Sequence, residues 1–192
     1  SDFRKLREWA AAAEQLTHDF GEASAAGGRY VVRYARGRDD VLAEDALEAL
    51  ARADRAIETF LDIRLPGPIR LEIYPSARAL AQVSRLALSP NETPGTLALG
   101  TWHRLMVASP RSLLYGYPWL DTINHELVHL ALSYASKNHA PVWFHEGLAK
   151  LFERTWPGPA PAASLAPPTK NLLLAAGSAG PWNALRPTHP PV

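Results

Sequence analysis

His125-Glu126-Leu127-Val128-His129 constrains this chain more than any other stretch, because its histidines act together only if the backbone around them is helical. Residues four apart lie one above the other on a helix, so His125 and His129 offer two imidazole nitrogens to one metal from one face. Glu126 points about a hundred degrees away and is placed to act on a water at that metal as general base. With the His and Glu frequencies of this chain, the three fixed letters coincide by chance in roughly one such chain in seventy. The surroundings must therefore carry part of the reading.

They do so over residues 118–134, which read as a helix with Asp121 or Thr122 as N-cap and Pro118 in the entering turn. Ile123, Leu127, Leu130 and Tyr134 follow at helical spacings and form the expected core-facing stripe. Two histidines in a mostly buried helix need polar partners. A metal satisfies both, since each ring ligates through one nitrogen and donates a hydrogen bond from the other.

Zinc that keeps a position for water needs a third protein ligand. Residues 141–153 supply a second helix: Pro141 suits its first turn, and Val142, Trp143, Leu148, Leu151 and Phe152 are expected to bury it. Glu146 sits in its middle, with Gly147 and Ala149 small enough for a close helix approach. His145 competes for the same role, because zinc accepts imidazole as readily as carboxylate. Adjacent helix residues diverge too far for both to ligate one ion. The residues alone leave the choice open, and they also leave Glu146 open to being an ordinary solvated carboxylate.

The pentamer followed by Trp143-Phe144-His145-Glu146-Gly147-Leu148-Ala149 resembles the gluzincin branch of the zincin metallopeptidases, whose aminopeptidases carry a Trp-x-x-Glu-Gly-x-Ala segment after the zinc helix. It is most similar to the bacterial peptidase MA-like metallohydrolases, over residues 95–153. The resemblance implies an α+β zincin-like fold, in which a mixed sheet packs against the helix bearing His-Glu-x-x-His and a second helix bears the Glu ligand. It also implies zinc held by His125, His129 and Glu146, with Glu126 as general base, and a peptide or protein substrate. Glu153 lies two helical turns beyond Glu146 and returns to nearly the same face, where a carboxylate can accept the outer N–H of His125 or His129. The plain alternative is a surface charge.

Composition fits one domain over residues 1–192 and excludes several rivals. Of the 192 residues 47% are hydrophobic and none is Cys, which removes disulfides, thiol catalysis and Cys-ligated zinc. A net charge of +1 gives no electrostatic case for nucleic acid, and no apolar run is long enough to span a membrane. The compartment stays open: the start at Ser1 fits a processed chain, and an extracytoplasmic place would follow if a signal sequence had been removed. Oligomeric state is not readable.

Along the chain, residues 1–26 read as an N-terminal packing helix, with Phe3, Leu6, Trp9, Ala13, Leu16 and Phe20 at helical spacings up to Gly21. Residues 29–34 read as a strand, 40–60 as one long helix, 69–74 as a strand and 76–88 as a helix. Residues 96–101 and 104–108 are further strands, and 95–101 is expected at the sheet edge, where unpaired backbone groups bind an extended peptide. Family aminopeptidases hold the substrate amine with an acid in that region. Here Glu92 is the nearest, so an endopeptidase is expected. Residues 155–192 are Pro-rich and read as loop, with a short helix at 171–176. Tyr115, Tyr117, Tyr134, His139 and His189 are all candidates to stabilise an oxyanion. The alternative function is a catalytically silent zinc-binding scaffold or peptide-binding module on the same fold.

Overall fold

A computed structural model describes residues 2–83, 98–101 and 104–153. The fold is mixed α and β, built on one five-stranded sheet in the order β1-β2-β3-β5-β4. The strands are β1 (Phe20–Ala25), β2 (Tyr30–Ala35), β3 (Ile69–Tyr74), β4 (Ala98–Thr101) and β5 (Arg104–Ala108). The central strands β2, β3 and β5 run parallel, and each flank is closed by an antiparallel partner, β1 on β2 and β4 on β5. The helices are α1 (Asp2–Thr17), α2 (Ala43–Leu61), α3 (Ala77–Val83), α4 (Trp119–Ser136) and α5 (Val142–Glu153).

Strand alternation sorts the sheet's side chains into two cores. Val32, Leu71, Ile73, Leu105 and Val107 face α2 and α4, whose Leu50, Ile57, Ile123 and Leu127 are fully buried against them. Each such side chain contributes about 1.5–3 kcal/mol by leaving water. Met106, Ala108 and Tyr74 face the other way, beneath Leu80 and Val83 of α3 and Ala13 and Leu16 of α1. On that second face the buried Glu72 receives Arg33, Arg104 and the Tyr74 hydroxyl, so the polar position in the alternating 69–74 strand lies inside the protein with its charge matched.

Several boundaries depart from expectation. The N-terminal helix ends at Thr17, whose Oγ1 bonds back to Ala13 O, and Phe20 and Gly21 begin β1. Gly21 does not end a helix; it lies opposite Tyr34, and a Cβ there would sit 2.7 Å from that ring. Residues 40–42 form a separate 3₁₀ turn ahead of α2, with Val41 pointing into solvent. Helix α3 is described only to Val83, and residues 155–192, with the helix expected at 171–176, lie outside the described residues.

For the site, the relevant placement is that of α4. It packs on α2, on β4 and β5, and on α5. Strand β4 is the last strand of the sheet, as expected for this region, and its outer edge has no partner strand among the described residues. No helix of the described residues is long and apolar enough to cross a membrane.

Candidate metal centre

Helices α4 and α5 form a hairpin. α4 ends where Lys137 turns into the left-handed region at φ 49°, its N–H returning to Ser133 O and Tyr134 O, and Pro141 then precedes α5. Phe144, Leu148, Ala149 and Phe152 of α5 are buried, and they share one apolar cluster with Val128, Ala131 and Leu132 of α4. This corrects the expected stripes. Val142 is 76% exposed, and Trp143, Leu151 and Tyr134 also face outward. Of the small residues, Ala149 is buried in the packing, whereas a Cβ on Gly147 would meet nothing. The start of α4 also differs: Pro118 occupies the cap position without a side-chain bond, and Thr122, one turn in, bonds back to Pro118 O.

The antiparallel hairpin sets early residues of α4 against late residues of α5. His125 Nε2 and His129 Nε2 face each other at 3.0 Å. The Glu146 carboxylate completes a triangle, with Oε1 3.5 Å from His129 Nε2 and Oε2 3.7 Å from His125 Nε2. Three ligands bound tetrahedrally to zinc at about 2.0–2.1 Å must lie about 3.3 Å from one another. The 3.0 Å between the two imidazole nitrogens is close to that value, a different Glu146 oxygen lies near each nitrogen, and one ligand atom from each residue lies within 4.8 Å of the others, so the three residues are gathered within reach of one small cation. Two imidazole lone pairs at 3.0 Å also repel unless a proton or a cation lies between them. His125, His129 and Glu146 thus form a group that could hold a metal ion.

Electrostatics keep His129 available for ligation. Burial first, and His125 second, push the His129 pKa down to about 4 against the upward pull of Glu146. The ring is therefore neutral at ordinary pH and keeps a lone pair for a metal. Glu146 is 54% exposed, which leaves the open side of the triangle towards solvent. Glu126 is half-buried on the same turn of α4 as His125.

The other two acids and bases expected near the metal are both found on the outer side of the rings. Glu153 Oε2 lies 3.4 Å from His125 Nδ1, so it reaches His125 and not His129. The same oxygen is 2.6 Å from Lys150 Nζ, and that contact is the main reason the carboxyl is held below its usual pKa. His145 lies outside the triangle. Its Nδ1 is 3.4 Å from His129 Nδ1, on the far edge of that ring, and burial lowers its pKa. The hundred degrees between neighbouring helix positions has sent Glu146 to the inner nitrogens and His145 to the outer one.

Sequence reasoning missed this contact, and it missed Lys150, because helical spacing gives a face but not the nitrogen that meets it. Among the oxyanion candidates, Tyr117 donates its hydroxyl to Ala108 O, and burial raises its pKa. Tyr115 and Tyr134 are exposed, and the His139 ring meets Ser136 O. His189 and Glu92 lie outside the described residues. The chain matches no known family model, and no curated protein gives a significant match to it.

Proposed function

We propose that this protein is a zinc-dependent peptidase of the gluzincin type, in which His125, His129 and Glu146 hold one zinc ion and Glu126 is the general base. The observation that carries this reading is the triangle of two imidazole nitrogens and a carboxylate at 3.0, 3.5 and 3.7 Å, built on the helix that also bears Glu126. Two neutral rings and one carboxylate leave a divalent ion with net positive charge, and a zinc ion so held supplies Lewis acidity towards a water and a peptide carbonyl. Glu126 accepts the proton of the attacking water and passes it to the leaving amine. The exposed side of Glu146 provides the entrance. An extended peptide pairs with the outer edge of β4, which lies beside α4 and has backbone donors and acceptors to offer. With no acid identified on that strand to hold a terminal amine, cleavage within the peptide is favoured over removal of the first residue.

The test is turnover of a mixed peptide library by the zinc-loaded protein, with products read by mass spectrometry and a chelator-treated sample in parallel. Internal cleavage that stops with chelator is expected. A stoichiometrically loaded protein that leaves the library intact overturns the proposal and makes the chain a zinc-binding scaffold.

A further inference from the structure

We infer that His145 is a positioning residue for the metal centre: it accepts a hydrogen bond at its Nδ1 from His129 Nδ1–H, and thereby fixes the ring and tautomer of His129. The inference rests on the reading of His125, His129 and Glu146 as ligands, and it follows from which edges of the rings meet. The planes of His129 and His145 differ by only 15°, their centroids are 5.5 Å apart, and their Nδ1 atoms are 3.4 Å apart. Two rings this nearly parallel, whose nitrogens are much closer than their centres, meet edge to edge in roughly one plane. That is the geometry of a ring-to-ring hydrogen bond; face-to-face stacking would bring the centres closer.

The proton assignment then follows by elimination. His129 Nε2 faces His125 and Glu146, so a metal there requires that nitrogen to be bare. The neutral ring carries one hydrogen, which must sit on Nδ1. That hydrogen points at His145 Nδ1, which must in turn be bare, with the His145 hydrogen on Nε2. The two ligand histidines are thus held differently. His125 has the carboxylate of Glu153 behind it, and His129 has a neutral ring. A neutral acceptor orients its histidine without adding a negative charge beside it.

The experiment combines a tautomer readout with two variants of opposite character. Long-range ¹H–¹⁵N spectra of the metal-free and zinc-loaded protein should show His129 protonated at Nδ1 and His145 at Nε2. His145→Phe keeps a ring of similar size and removes the acceptor; His145→Asn shortens the side chain but can keep an oxygen near the Nδ1 position. Zinc affinity, measured by chelator competition, should fall about ten- to a hundredfold in His145→Phe and recover substantially in His145→Asn. A role in packing alone predicts the opposite order. Wild-type affinity in His145→Phe, or a His145 protonated at Nδ1, overturns the inference while leaving the metal centre standing. Zinc binding that is untouched by His129→Ala overturns the metal centre itself. Zinc that survives Glu146→Ala but vanishes with His145→Phe makes His145 a ligand and overturns both.

Discussion

Glu153→Ala should weaken zinc binding about tenfold and leave the fold intact. The carboxylate of Glu153 lies behind His125 Nδ1, and a hydrogen bond drawn to such a charged acceptor when zinc is bound would be worth about 1.5–3 kcal/mol. Two features place this one at the lower end. The separation from His125 Nδ1 is 3.4 Å, beyond the usual N–H···O range, and the same oxygen is 2.6 Å from Lys150 Nζ, which competes for its charge. The side chain is only 25% exposed, so solvent screening removes little more. About 1.4 kcal/mol remains, which corresponds to a tenfold change in dissociation constant. Competition against a chromophoric chelator at fixed pH measures it, with far-UV circular dichroism of the metal-free protein as the check on folding. Glu153→Gln keeps an acceptor oxygen without the charge and should lose less. Lys150→Met removes the competitor, so its zinc affinity should equal or exceed that of the wild type. An unchanged zinc dissociation constant in a folded Glu153→Ala would refute the reasoning and reduce Glu153 to the surface partner of Lys150.

His129→Ala and Glu146→Ala should each lose stoichiometric zinc, read by metal analysis of the purified protein, because either change leaves two protein ligands where three are needed. Glu126→Gln should retain zinc while peptide turnover falls by at least about a hundredfold, since an amide cannot take the proton from the attacking water. Nearly full activity in that variant would remove Glu126 from the chemistry. Gly147→Ala should raise stability by about 0.5–1 kcal/mol in a denaturant melt, because the position is helical and a Cβ there meets nothing.

The elements that were readable in advance are those whose pattern is set by local physics. Strand β3 shows its period of two, α2 shows Ala46, Leu50, Ala53 and Ile57 at helical spacing, and both took their expected places. The errors arose where tertiary packing overrode the pattern. Phe20 continues the apolar spacing of α1, yet it opens β1 opposite Ala35, and the glycine that follows it leaves room for the Tyr34 ring. Val142 and Trp143 look like core residues, but α5 turns a narrower stripe to α4, through Phe144, Leu148, Ala149 and Phe152. Hydrophobicity identified the helix and misjudged its rotation.

That rotation decides the site as well. With the hairpin antiparallel, residue numbers on α4 and α5 pair in opposite order, so His125 meets Glu153 and His129 meets both Glu146 and His145. Spacing could place Glu146 and Glu153 on one face, and it could show that His145 and Glu146 do not share a ligand position. It could not tell which histidine Glu153 stands behind, nor that His145, the competing candidate for third ligand, approaches His129 from the other side. Those facts depend on where the helix axes cross, which is a property of the packed pair. A turn of α5 by one residue would carry His145 towards the inner nitrogens and Glu146 away from them. The buried contacts at Phe144, Leu148, Ala149 and Phe152 oppose such a turn, so the packing that stabilises the hairpin also keeps the Glu146 carboxylate, and not the His145 ring, beside the inner nitrogens of His125 and His129.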